Sequence, residues 1–286
     1  MDALAFGLVL TSAGLHAVWN FLAKRASGDT AFVWLFSALA TVIYLPLAIF
    51  ILVVQQPHIG PEEVGAVGVT CALHVAYYML LNRGYRVGDL SLVYPIARGA
   101  GPLLSVVGAV FLLGERPSLL AVSGMLLIVA GVVVVTGSPT RARQDGATPA
   151  IIYGLLVALS IAAYTLWDKQ VVSFYLIPPL ILTWTSGLVR VVVLAPYAAQ
   201  HWQQVRQDWQ RFRKEALGIA VLDSLSYILF LIALSFSEVS HLAPLRQTSI
   251  LIGAFLGARL LAEDAGRRRL AAAVVMMAGV IALALG

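Results

Sequence analysis

Ten apolar runs follow one another along the chain, separated by short polar turns. Each is close to the roughly 20 residues that an α-helix needs to cross a hydrocarbon layer about 30 Å thick. They fall at 3–23, 31–54, 63–82, 90–113, 117–137, 149–169, 177–199, 216–235, 239–261 and 268–285. A water-soluble fold of this size has about 25% charged residues to cover its surface, whereas this chain has 12%, with 60% hydrophobic. Lipid must solvate most of the exterior, and lipid admits only structures that satisfy their own backbone hydrogen bonds. The expectation is an all-α integral membrane protein. The first run exceeds the length of a cleavable signal and has no basic segment ahead of it, so it reads as a permanent helix.

A polar stretch at 138–148, containing Pro139 and Gly146, lies almost midway and separates five runs (1–137) from five (149–286). One shift of 148 residues superimposes several unusual positions: His16, Trp19 and Asn20 fall on Tyr164, Trp167 and Asp168, Arg98 on Arg246, and Glu115 on Glu263. Coincident Leu and Val are expected between any two apolar runs; coincident Trp and coincident intramembrane Arg are not. Five runs is an odd number, so the second half enters the bilayer from the face opposite to the first. The architecture expected is ten transmembrane helices in two inverted five-helix repeats, with a substrate site near the midplane between them.

The charge balance of +5 would suit nucleic acid in a soluble protein, but here the basic residues sit in the short turns. Alternate turns place 13 of them, from Lys24 and Arg25 to Arg267, Arg268 and Arg269, on one face, called the basic face below, against Arg116 and Lys169 on the other. The positive-inside rule puts the basic face in the cytoplasm and both termini outside. The segment 200–215, with Trp202, Trp209, Arg206 and Arg211, suits a stretch lying on lipid headgroups. Cys71 is the single cysteine, and no second histidine or cysteine stands at ligand spacing from His74; no disulfide, metal or other cofactor is expected. No phosphate-cradling loop, HExxH or GxSxG occurs, which argues against an ATP-driven pump or an enzyme acting on lipid-linked substrates.

An ionisable side chain inside a span costs on the order of 3 kcal/mol on insertion scales and so needs a partner or a water-filled cavity. Arg98, Arg190, Asp223 and Arg246 are the deepest. His16, Trp19 and Asn20 share one helical face at i, i+3, i+4 spacing, as do Tyr164, Trp167 and Asp168. The bland reading pairs Asp168 with Arg246 and Asp223 with Arg98 to neutralise buried charge. Against it, the counterpart of Asp168 is the neutral Asn20, so repeat symmetry brings no acid to Arg98. A guanidinium clamps a carboxylate, phosphonate or phosphate through two hydrogen bonds. The substrate-binding set expected is therefore Arg98, Arg246, Asn20, Trp19, His16, Tyr94, Trp167, Asp168, Tyr78, Asp223 and Tyr227, with Asp223 also a candidate for proton coupling. Pro95, Pro102 and Pro244 loosen the helices that carry the two arginines. Gly253 with Gly257, and Gly101 with Ser105 and Ala109, are small-residue spacings for close helix contact.

The segments His16–Lys24 (HAVWNFLAK), Asp89–Arg98 (DLSLVYPIAR) and Leu113–Arg116 (LGER), echoed by Ala243–Ser249 and Leu261–Asp264, resemble the EamA family of the drug/metabolite transporter superfamily over essentially the whole chain. The resemblance implies a ten-helix, two-repeat carrier in the bacterial inner membrane, moving amino acids, other metabolites or drugs by alternating access. It also implies cytoplasmic termini, against the loop charges, which carry the expectation here. The function expected is secondary transport of a small polar metabolite bearing a carboxylate or phosphonate. A flippase for a lipid-linked substrate and an exporter of organic cations are the alternatives. The partners expected are the substrate and the bilayer, with a monomer or homodimer as the working unit and no nucleic acid.

Overall fold

The structure of the chain, a computed structural model, describes residues 2–26, 29–87, 90–136, 148–260 and 267–286. The apolar runs form helices because a continuous run of Leu, Val, Ala and Ile has no turn residue to interrupt it, and polar side chains cap the ends. Asp2 accepts from the Leu4 amide at 2.8 Å and Asp29 from the Phe32 amide at 2.9 Å. The helices are α1 (Ala3–Arg25), α2 (Thr30–Gln55), α3 (Pro61–Val87), α4 (Leu90–Leu112), α5 (Leu119–Thr136), α6 (Thr148–Ser173), α7 (Pro179–Gln200), α8 (Trp202–Phe236), α9 (Val239–Arg246), α10 (Thr248–Leu260) and α11 (Arg267–Leu285). There is no strand among the described residues. Counted over the described residues, six helices are at least 18 residues long and apolar enough to cross a membrane: α1, α2, α3, α6, α7 and α8.

Two elements differ from the sequence expectation. The run 239–261 is broken at Gln247 into α9 and α10, one turn after Pro244, whose ring removes a backbone donor. The segment 200–215 is helical and continues into the following run, so that α8 extends over 35 residues with a bend at Phe212 (φ −123°, ψ 26°).

The halves interlock. The first helix of each packs on the other half: α1 lies against α8 and α10, and α6 against α3 and α4. Reciprocal tryptophans join α2 to α7, with Trp34 Nε1 donating to Val191 O at 3.1 Å and Trp184 Nε1 donating to Thr41 O at 2.9 Å. Helices α5 and α11 touch backbone to backbone, since a Cβ added to Gly124 would stand 2.6 Å from the Gly279 carbonyl oxygen. The small residues singled out in the sequence behave differently from one another. Gly101 packs on Ile161 of α6, while Gly253 has open space around it. The side chain at Gly257 lies outside the described set.

Candidate functional site

A cavity of about 290 Å³ lies where α1, α2, α3, α4, α6, α7, α8 and α9 meet. Its charged residues, histidines and tyrosines, with Trp19, come from seven of these helices, and α2 adds Ser37. Helix α1 gives His16 and Trp19, α3 gives His74, Tyr77 and Tyr78, α4 gives Arg98, α6 gives Tyr164, α7 gives Arg190, α8 gives Asp223 and Tyr227, and α9 gives Arg246. Among the described residues, three guanidiniums therefore share one space with one lining carboxylate. A second cavity of about 280 Å³ shares His74, Tyr78, Ser186 and Arg190 with the first and continues to Thr30, Asn82, Arg83 and Tyr197. Those four residues lie toward the basic-face ends of α2, α3 and α7, so the path leads from the centre to that face. Toward the opposite face the space is filled by Val171, Ile177, Leu234, Val239, Leu242 and Leu245, none more than 2% exposed.

Asp168 does not line the cavity. It is completely buried and takes three hydrogen bonds: from Thr70 Oγ1 at 2.7 Å, from His74 Nε2 at 2.9 Å and from the Tyr227 hydroxyl. The pairing of Asp168 with Arg246 is thus replaced by a cluster in which α3, α6 and α8 each supply a member. Three donors satisfy the oxygens of a carboxylate that burial removes from water. His74 and Tyr227 stand between it and the cavity, with ring centroids 5.4 Å apart.

Asp223, which the bland reading pairs with Arg98, forms an ion pair with Arg190, at 3.9 Å, with both side chains about 30% exposed. That separation is beyond a direct hydrogen bond. At that distance neither group is committed to the other by a hydrogen bond, so a ligand group is able to come between them. Arg246 is held differently. Its guanidinium carbon lies 4.4 Å from the centroid of Phe230 and 5.1 Å from that of Tyr227, and its Nε is buried without a hydrogen-bond partner among the described residues. Two aromatic faces fix the cation by its quadrupolar attraction without using its hydrogen-bond donors. The guanidinium also stands at the C-terminal end of α9, where the helix dipole favours positive charge.

Of the residues expected at the site, the structure brings His16, Trp19, Tyr78, Arg98, Asp223, Tyr227 and Arg246 to one cavity. Within it Trp19 Nε1 donates to His16 Nδ1 at 3.2 Å, and the two rings meet edge to face. Two residues are turned elsewhere: Asn20 bonds the His16 carbonyl of its own helix at 2.7 Å, and Trp167 bonds the Ala66 carbonyl at 2.9 Å within the core. The Tyr94 side chain lies outside the described residues. His74, which the sequence set aside as a metal ligand, and Thr70 were not among the site residues expected. Their signal was a polar pair at i, i+4 on one face of an apolar run.

The EamA-like transporter family matches this sequence twice, over residues 3–137 and over residues 148–285. The chain belongs to the EamA-like transporter family. This places it in the drug/metabolite transporter superfamily, as a multi-pass membrane protein of transporter type. No curated protein matches the EamA-like chain. Among solved structures 29 chains match. One of them, described only as "Crystal structure of protein", superposes with a TM-score of 0.75 at 17% identity over 100% of this chain and 98% of that one. At that identity the likeness shows the fold alone.

Proposed function

We propose that this EamA-like transporter is a secondary carrier for a small metabolite bearing a carboxylate or phosphonate group, bound in the central cavity by Arg98 and Arg246. The observation that carries the reading is the imbalance of charge in that cavity. Three guanidiniums face it, one carboxylate lines it, and the second carboxylate, Asp168, is sealed behind Tyr227 and His74. An anion there gains charge-assisted, bidentate hydrogen bonds that water supplies only in part. Asp223, loosely held by Arg190, offers a place for the ammonium group of an amino acid. His16, Trp19 and Tyr227 complete the lining with ring area, the Tyr227 hydroxyl being spent on Asp168, and Tyr78 adds a hydroxyl, all at little cost in side-chain freedom.

On this reading ten spans form two inverted repeats, supported by the twofold family match and the reciprocal Trp34 and Trp184 bonds. The basic face is cytoplasmic, in a bacterial inner membrane, supported by the loop charges. The cavity then opens to the cytoplasm in this state. The test is a thermal-shift screen of detergent-purified protein with amino acids, phosphonates, organic acids and organic cations, run on the native chain, Arg98→Gln and Arg246→Gln. A ligand that binds the folded state at a hundredfold excess over its Kd adds about 2.7 kcal/mol of apparent stability. Stabilisation by an anion or zwitterion, lost in both variants, supports the proposal. Stabilisation by organic cations alone, lost instead in Asp223→Asn, overturns it in favour of cation export.

A further inference from the structure

The turn between α8 and α9 closes the protein on the face opposite the cavity's opening, and it is held at both of its helix ends by charge from other elements. Helix α4 ends at Leu112, and the amides of Leu113 and Glu115 both donate to Ala109 O at 3.1 Å. Gly114 takes φ +70° between them, the left-handed conformation in which a Cβ is costly. That turn directs the Glu115 side chain into the protein. Its two carboxylate oxygens accept from the amides of Val239 at 2.8 Å and Ser240 at 2.9 Å, the first two residues of α9. On the other side of the turn, Lys169 Nζ donates to Leu234 O at 2.6 Å and Ser237 O at 3.0 Å, the carbonyl end of α8. An anion sits on amide ends and a cation on carbonyl ends, as the helix dipoles favour.

Three features give this clamp a consequence beyond capping. Glu115 is only 9% exposed, so its oxygens take their hydrogen bonds from these two amides more than from solvent. It extends from the end of the helix that carries Arg98, and it grips the start of the eight-residue helix that ends with Arg246. Finally α9 is separated from α10 at Gln247, so α9 is able to move as a short rigid piece. We propose that Glu115 is a positioning residue for transport: it latches α9 in the state whose cavity opens to the basic face, and its release opens the opposite face. The proposal rests on the alternating-access part of the reading above and is independent of the substrate's charge.

The test uses the full-length chain with Cys71→Ser, carrying either Ala243→Cys, a reporter one turn inside the latch on α9, or Ser224→Cys, a reporter in the cavity lining. Labelling rates with N-ethylmaleimide are compared between Glu115, Glu115→Gln and Glu115→Ala. With Glu115 intact the cavity reporter reacts and the α9 reporter does not. Loss of both carboxylate bonds shifts the two-state equilibrium about a hundredfold, which raises the rate at Ala243→Cys and lowers the rate at Ser224→Cys by about tenfold each when the latched state is favoured about tenfold. The reciprocal change is the decisive readout. A rise at Ala243→Cys with Ser224→Cys unchanged means local fraying, and a rise at both means general loosening; either overturns the latch, as does no change. Should Glu115→Ala fail to fold, Glu115→Gln, which keeps shape and one acceptor oxygen, decides the matter by the same two rates. An outcome in which the reporters respond reciprocally but no anion stabilises the native chain upholds the latch and sinks the substrate assignment.

Discussion

Tyr227 touches both charges that matter most at the site: its hydroxyl donates to Asp168, and its ring lies beneath Arg246. The two contacts separate cleanly by substitution. Tyr227→Phe keeps the ring and removes one donor to a buried carboxylate, a loss of about 1.5–3 kcal/mol of stability. It is expected to lower the unfolding temperature in detergent while leaving the ligand-induced shift intact. Arg246→Lys is expected to do the reverse. It keeps the charge but loses the planar fork and the stacking on Phe230, so the melting temperature holds while ligand stabilisation falls. If Tyr227→Phe abolishes ligand stabilisation and Arg246→Lys spares it, the assignment of roles is inverted. The arginines were legible in the sequence because a charge deep in an apolar run has no local explanation. The partners of Asp168 were not, because Thr70 and His74 lie 98 and 94 residues away and only tertiary packing brings them close.

At the scale of helices, sequence spacing named small residues as contacts, and geometry sorts them. Gly124 of α5 faces the backbone of α11, where a Cβ would lie 2.6 Å from the Gly279 oxygen and 2.6 Å from the Leu283 amide. Backbone cannot rotate away as a flexible side chain does, so Gly124→Ala is expected to cost about 1–3 kcal/mol as overpacking. Gly253→Ala on α10 meets nothing within 4 Å and is expected to gain up to about 1 kcal/mol from helix propensity. Opposite shifts in thermal unfolding of the two variants check this contrast; equal losses would mean that α10 is packed against something on its open side. The pattern of apolar runs located the helices well because run length alone distinguishes a span. It did not reveal the break at Gln247, since Pro95 and Pro102 stand in the same kind of run and α4 continues through both. Nor does a repeat pattern say that α1 and α6 are exchanged between halves, because that choice is made by surface fit after both halves exist.

For the molecule as a whole, one open path and one packed end define a state. The path runs from Arg246 and Arg98 through the space shared by Tyr78 and Arg190 to Asn82, Arg83 and Tyr197. The loop charges assign the basic face to the cytoplasm through the positive-inside rule, whereas the family resemblance puts the termini there, and the two are incompatible because the termini belong to the opposite face. A cysteine at Asn82 in the Cys71→Ser chain settles both questions at once, because Asn82 lines the vestibule close to the basic-face end of α3. In intact cells it is expected to resist a membrane-impermeant thiol reagent, and in inverted membrane vesicles to react readily. Reaction in both preparations would mean mixed insertion, and reaction in intact cells alone would put the basic face outside. In that last case the charge imbalance of the loops, 13 against two, would have failed to orient the chain, and the state described here would take its ligand from the exterior.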